Sequence, residues 1–459
     1  MRNIITLSDS YKVSHWKQYP PKTQKVYSYF ESRGGEYPET VFFGLNYLIK
    51  EYLMKPVMWE YIIEAQALYQ AHFGKDLFNR EGWEHIAKLG YLPVRIKAVP
   101  EGTVVPNRNV LMTIENTDPK VPWLTNWLET LLVQVWYPCT VSTISRHNKK
   151  TLLAALEKSG DPSLIDFKLH DFGFRGSTSV ESSALGGCAH LVNFKGTDTV
   201  SALLMARDYY NCPMAGFSIP ASEHSTITAW GQENEVDAFR NMLTQFPDGL
   251  VACVSDSFDI YKACGELWGT QLRDQVLARD GTLVIRPDSG EAQEVLPEMF
   301  DIIGDKFGYT VNAKGYKVFN PKVRTIQGDG INPKSLPRIL DCLMDAQWSA
   351  DNIAFGSGGG LLQQCNRDTL KFAFKCSDIT VDGEHRDVFK KPITAAWKDS
   401  KAGRMKLVKK GDYYLTVRPG AEGDDIMQTV FENGKLLVDP TLDEIRERAA
   451  VMEKEAMVA

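Results

Sequence analysis

The chain has 459 residues, 43% hydrophobic and 24% charged, a composition that suits one large or two to three medium domains with a substantial core. A formal net charge of −6 and a pI of about 5.9 give no global basic field for nucleic acid or an anionic membrane, so a polyanionic ligand must meet locally clustered cations. The eight cysteines form no C-x-x-C pair and no basic stretch leads into an apolar run at the N-terminus, which reads as buried thiols in a reducing, cytoplasmic setting.

Residues 1–158 read as an N-terminal α+β domain. Lys25 to Phe30 and Val94 to Val99 alternate like strands, and Trp59 to Phe73 has the pattern of an amphipathic helix closed by Gly74. Trp123 to Pro138 is the most apolar long segment, but Thr125, Asn126, Glu129 and Gln134 interrupt it, so it is expected to be a core helix rather than a membrane span. Tyr11, in the polar stretch Ser8 to Lys12, is an aromatic without an obvious burial partner and is expected at an interface. A Gly-Asp-Pro within Lys158 to Ser163 marks a boundary.

From 159 to 376 short apolar runs, each ending in polar or glycine residues, recur ahead of helical stretches. The runs are Phe167 to Gly173, Thr197 to Val200, Gly216 to Pro220, Leu250 to Asp256, Leu283 to Pro287, Val323 to Gly328, Asn352 to Gly356 and Lys371 to Cys376. Eight such units suggest an α/β fold, an irregular (β/α) barrel, whose reactive residues sit past the C-terminal ends of the strands. A doubly wound open sheet fits the same spacing. The seventh run leads into Gly356-Ser357-Gly358-Gly359-Gly360, where missing Cβ atoms let the backbone approach an anion and a helix beginning near Leu361 aims free N–H groups at it. Segment 377–459 turns hairpin-like around Glu432-Asn433-Gly434 and ends in a helix from Leu442 towards Ala456, with Thr441 and Glu444 in capping-box spacing. It is expected to pack on the N-terminal domain, giving a second α+β domain built from both chain termini.

Strand ends supply the candidate chemistry. Arg286-Pro287-Asp288-Ser289-Gly290 puts a guanidinium and a carboxylate at one rim, suited to a phosphate and a ribose diol or equally to a rim salt bridge. Gln327-Gly328-Asp329-Gly330 places an acid between glycines, for sugar hydroxyls or as a simple turn. His224 lies at a strand-to-helix transition among hydroxyls, and Phe172 follows Asp171 where a ring face can stack on a flat ligand. The remaining histidines form no chelating set with cysteines, so any Mg²⁺ is expected to ride on substrate phosphates.

Taken in order, Asp9 to Lys12, Lys17 to Pro20, His170 to Gly176, Lys195 to Thr199, Glu223 to Thr226, Ile285 to Gly290, Gln327 to Gly330 and Phe355 to Leu362 resemble the nicotinamide phosphoribosyltransferase family, the type II phosphoribosyltransferases of NAD salvage. The resemblance covers nearly the whole chain. It implies a homodimer with active sites at the subunit interface, joining nicotinamide to 5-phosphoribosyl 1-pyrophosphate with Mg²⁺, assisted by ATP hydrolysis through a phosphohistidine at His224. It also implies that Phe172 and the second subunit's copy of Tyr11 sandwich the pyridine and Asp198 takes the carboxamide. Arg175, Arg286, Asp288, Gly328 and Asp329 would hold the pyridine and ribose side, and Gly358 and Gly359 the 5-phosphate. Arg33, Arg367, Lys375 and Lys390, some of them from the second subunit, would hold pyrophosphate or ATP phosphates. Two departures stand out: Gly34 to Pro38 replaces a longer basic loop of animal members, and Ala373 stands where a phosphate-contacting serine can occur. The related nicotinate enzymes are the nearest alternative, disfavoured because Asp198 repels a nicotinate anion. A barrel that has lost activity and serves as a binding protein is the other, disfavoured by His224, Asp288 and the glycine turn together.

Overall fold

The computed structural model describes residues 3–394, 399–411 and 413–451. Two compact units emerge. The first comprises 1–143, 208–212 and 365–449, and the second 144–207, 213–364 and the segment from 450. The expected boundary at 158/159 is displaced because one helix, Trp136–Ser159, carries the chain from the first unit into the second, and that at 376/377 because the strand Phe372–Val381 belongs to the first unit. The eighth apolar run also behaves differently from the other seven. Lys371 to Cys376 enters the strand Phe372–Val381, which pairs antiparallel with Thr23–Ser32 in the first unit and is no barrel strand.

In the first unit that pair belongs to a seven-stranded antiparallel sheet, with Val110–Asn116, Val94–Ala98 and Gln428–Glu432 continuing it. The hairpin expected at Glu432-Asn433-Gly434 is present, with Asn433 and Gly434 at φ 50° and 80°, the left-handed pair that a tight hairpin turn demands. The helix Trp59–Phe73 ends on Gly74 at φ 66°. Trp123 to Pro138 is not one helix: it breaks into Leu124–Trp127, Glu129–Leu132 and a 3₁₀ turn before the long helix starts. The C-terminal helix spans Leu442–Ala449, opened by the Thr441 and Glu444 capping box, and Arg448 donates to the Glu101 carbonyl (2.7 Å). Its expected continuation from Met452 to Ala456 lies outside the described residues.

The second unit is built on six parallel strands in the order Gly196–Thr197, Leu169–Asp171, Ile353–Ser357, Val323–Gln327, Asp280–Arg286, Asp248–Val254. The expected third strand is too irregular to be a ladder, yet it closes the ring. Phe217 bridges Gly196 and Ala221 bridges Ala252, both parallel, so the sheet's two edges meet through 217–221. That closure rules out a doubly wound open sheet and makes the unit an irregular (β/α) barrel. Helices cover the outer faces with a core that includes Trp268, Phe300 and Trp348, where Phe239 stacks on Trp268 at 4.4 Å. The inner layer is lean: Ala252, Val284 and Ile326, with Phe172, Ile219 and Ala354 against them. Among the described residues no helix is long and apolar enough to cross a membrane.

Candidate active site

Small inner side chains leave the barrel hollow. A cavity of about 510 Å³ runs among Phe172, Asp198, Ser218 and Arg286 at the C-terminal rim and Lys168, Arg324 and Asp351 at the other end of the strands. At the rim, Phe172 lies over Gly356: a Cβ there would sit 2.0 Å from the ring's Cε2. Gly356 therefore serves the aromatic ring rather than the phosphate turn to which its sequence neighbours assign it. The Arg286 guanidinium stands 5.8 Å from the Phe172 centroid and donates twice to Asp288 Oδ1 (3.2 and 2.8 Å). Gly328 packs beneath this group, since a Cβ would come within 3.4 Å of both Asp288 Oδ1 and the Phe172 ring. Asp198 follows its strand with an exposed carboxylate that accepts from the Ser218 hydroxyl. Arg175 is exposed in the turn Phe174–Gly176, and Asp329 is exposed, its carbonyl accepting from Gln327 (3.0 Å).

His224 opens the helix His224–Thr228 at the same end of the barrel. Its Nε2 is 3.0 Å from Asp256 Oδ1, and Asp256 Oδ2 accepts from the Asp288 backbone N–H (3.0 Å). Nδ1 lies 3.9 Å from Asp288 Oδ2. The side chain of Asp256 is 3% exposed and that of His224 47%, so a buried acid holds an accessible imidazole. Of the adjacent Glu223 and the more distant Asp256, either of which could orient the ring, Asp256 is the partner; Glu223 is engaged by the Ser225 hydroxyl and caps the helix. With the proton on Nε2 facing Asp256, Nδ1 keeps its lone pair, the arrangement of an oriented nucleophile.

Gly358 precedes a single helical turn, Gly359–Leu362. This is shorter than the helix expected from Leu361, so an anion placed here would meet the turn's N–H groups with little macrodipole behind them. A Cβ at Gly359 would meet nothing within 4 Å, while one at Gly360 would strike the Ile331 carbonyl at 2.5 Å. Gly359 thus leaves room for a ligand, whereas Gly360 is glycine for packing.

The expected phosphate cations lie in the first unit. Arg33 Nε donates to Glu31 (3.3 Å), and its Nη2 is buried without a hydrogen-bond partner. Burial lowers the Lys375 pKa, and Arg33, Arg367 and Lys390 push it the same way against Glu129. The four cations are near enough to act on one another, with Glu31 and Glu129 as the acids beside them. Ala373 lies opposite Glu31 in the strand register. Tyr11 is 59% exposed, edge-on to His15 at 4.9 Å, and lines a separate pocket with Lys12 and Glu129.

Two residues escaped the sequence reading: Ser218, hidden in the weakest strand, and Lys168, whose buried amine donates to the Ala350, Asp351 and Ile353 carbonyls and has its pKa pushed down to about 7 by burial. The position of Lys168 inside an apolar run is the one signal for it. Among the described residues no group of three or more His, Cys, Asp and Glu gathers as a metal site.

Residues 167–435 match the nicotinate phosphoribosyltransferase (NAPRTase) family, and residues 3–96 match the nicotinamide phosphoribosyltransferase N-terminal domain. A nicotinamide phosphoribosyltransferase of Xanthomonas campestris pv. campestris is 52% identical over 97% of this chain and 98% of its own, and one of Acinetobacter baylyi is 32% identical over 98% and 97%. Among solved structures, nicotinate-nucleotide pyrophosphorylase from Pyrococcus furiosus superposes with a TM-score of 0.62 at 16% identity, covering 100% of this chain and 97% of that one. Human nicotinic acid phosphoribosyltransferase gives 0.55 at 15% identity, covering 96% and 92%. At such identities these two speak for the fold alone.

Proposed function

The chain belongs to the nicotinamide phosphoribosyltransferases, within the wider nicotinate phosphoribosyltransferase (NAPRTase) family, and forms nicotinamide mononucleotide from nicotinamide in NAD salvage; from that premise we propose that the rim residues described above join nicotinamide to 5-phosphoribosyl 1-pyrophosphate with release of pyrophosphate. The observation that carries the choice of ring is one rim holding the Phe172 face, the Arg286 guanidinium and the Asp198 carboxylate around a single cavity. A carboxylate accepts from a carboxamide NH₂ and repels nicotinate.

The pyridine nitrogen attacks C1 with its own lone pair, forming the N–C1 bond as the C1–O bond to pyrophosphate breaks. No proton leaves the nucleophile, so no general base is needed. Arg286 and Asp288, locked together, would hold the ribose side, with Gly328, Arg175 and Asp329 at the same rim. The Gly358 and Gly359 turn would take the 5-phosphate. Arg33, Arg367, Lys375 and Lys390 would take pyrophosphate, an assignment supported by the unpartnered Arg33 Nη2. Mg²⁺ would ride on the substrate phosphates and neutralise their charge, the carboxylates of Asp256 and Asp288 being already engaged by His224, the Asp288 N–H and Arg286. ATP would phosphorylate His224 at Nδ1, its γ-phosphorus passing to the imidazole as ADP departs, and the added charge would help order the site. A homodimer with composite sites is supported by the exposure of Tyr11 and of the apolar Phe174, Val180, Val200 and Leu204 near Arg175 and Asp198 in sequence.

The test is incubation with phosphoribosyl pyrophosphate, Mg²⁺ and either nicotinamide or nicotinate, with and without ATP. Mononucleotide is expected from nicotinamide, with stimulation by ATP; a preference for nicotinate overturns the assignment of the ring.

A further inference from the structure

Asp171 ends its strand at 0% exposure, inside the rim yet outside every role assigned above. Its Oδ1 accepts from the Gly173 N–H at 2.7 Å, closing a bend around Phe172. Its carbonyl accepts from the Asp198 N–H at 2.9 Å. Phe172 is fixed from the other side, where its N–H donates to the Ser357 carbonyl at 2.9 Å. Oδ2 faces the Thr197 and Thr199 hydroxyls without a hydrogen bond of good geometry to either, and Gly187 leaves it space, since a Cβ there would lie 2.9 Å away. A buried, half-satisfied carboxylate is expensive, and here the expense falls where two ligand-facing residues meet, Phe172 following the strand that Asp171 ends and Asp198, at the end of the next strand, bonded to the Asp171 carbonyl.

We infer that Asp171 is a positioning residue of the nicotinamide subsite, holding the Phe172 ring and the Asp198 carboxylate at the spacing that one carboxamide-bearing pyridine requires. The assignment rests on the function proposed above. The ionised carboxylate is the stronger acceptor for Gly173, so protonation slackens the bend. Burial raises the Asp171 pKa to about 6; the Gly173 hydrogen bond and the nearby Thr199 and Thr197 hydroxyls oppose this and Asp198 reinforces it, while the neighbouring helix presents uncharged Gly187.

The experiment measures KM for both substrates in the full chain and in Asp171→Ala and Asp171→Asn. Alanine is expected to raise the nicotinamide KM about tenfold, with the phosphoribosyl pyrophosphate KM within about twofold, because a displacement well under 1 Å at a binding group is costly. Asparagine keeps the Oδ1 acceptor and is expected to restore the nicotinamide KM to within about threefold. In the parent protein that KM should rise as pH falls through about 6; in the asparagine variant this rise should be absent. An alanine variant that melts like the parent and keeps its nicotinamide KM overturns the assignment, as does an equal rise in both KM values. If alanine does not fold, identical pH profiles for parent and asparagine overturn it. A parent protein that makes no mononucleotide defeats the reading of the site itself, and this assignment with it, before any variant is compared.

Discussion

Replacing Gly356 with alanine adds one methyl group where the rim has least room. The new Cβ would lie 2.0 Å from Phe172 Cε2, 2.2 Å from Cδ2 and 2.8 Å from Cζ, against an ordinary carbon contact of about 3.5–4.0 Å. Gly356 pairs with His170 in the middle of a parallel ladder and has no left-handed φ, so the backbone tolerates alanine and the ring must give way, by roughly 1.5 Å. A displacement of that size at a substrate-positioning group costs about a hundredfold, or close to 3 kcal/mol of transition-state stabilisation. Overpacking removes about 1–3 kcal/mol of stability as well, so the assay pairs steady-state kinetics at varied nicotinamide with a thermal melt, run well below the transition. The expected outcome is a drop in kcat/KM for nicotinamide of about two orders of magnitude with a folded protein. A variant within about threefold of the parent would show that the Phe172 ring does not position the pyridine.

Four further outcomes follow from the same geometry. Asp198→Asn should weaken nicotinamide use by about 1–3 kcal/mol and relax rejection of nicotinate, read as the ratio of kcat/KM for the two rings; an unchanged ratio removes Asp198 as selector. His224→Ala should abolish ATPase activity and ATP stimulation while a weak ATP-independent transferase survives, and γ-labelled ATP should place acid-labile, base-stable label on the peptide containing His224 in the parent. Mixing Tyr11→Ala with Arg175→Ala protein after subunit exchange should recover roughly a quarter of parent activity if sites are shared between subunits; none should return if both act within one subunit. Burial raises the Glu101 pKa to about 7, opposed by backbone N–H groups of Asn46 and Gly44. Because the folded state holds that proton more tightly than the unfolded chain, stability present at acidic pH is lost as pH rises through about 7. Glu101→Gln should therefore gain on the parent in melting temperature between pH 5 and 8, by an amount corresponding to about 3 kcal/mol.

The sequence carried the barrel strands because an apolar strand shows as a short hydrophobic burst whatever its partners, although the third run, 216–220, closes the ring through isolated bridges alone. It could not separate the eighth, since Phe372 to Cys376 is equally apolar and differs in pairing antiparallel with a strand some 350 positions away, a relation with no local signature. The rim residues were legible one by one, at strand ends. Their wiring was not: whether Glu223 or Asp256 orients His224 depends on a contact 32 residues distant. Gly356 and Gly359 look alike in a glycine run and differ in what faces them, an aromatic ring in one case and open space in the other. The family resemblance supplied roles for Asp198 and Phe172 that composition and spacing alone would have left as a turn acid and a core aromatic.

The lean inner layer of the barrel has a consequence for how the gene can drift. In a close-packed core an added methyl group forces neighbours off their rotamers and a lost one opens a hole. Ala252, Ala354 and Ala221 instead face a lumen of about 510 Å³, so a larger apolar side chain there has somewhere to go, and trimming Val284 or Ile326 enlarges a hole that already exists. Selection for folding is accordingly relaxed along the inside of the strands and strict on their outside, where Trp268, Phe300 and Trp348 are locked together. Variation accumulating on the inner wall would be filtered chiefly by what the lumen must admit.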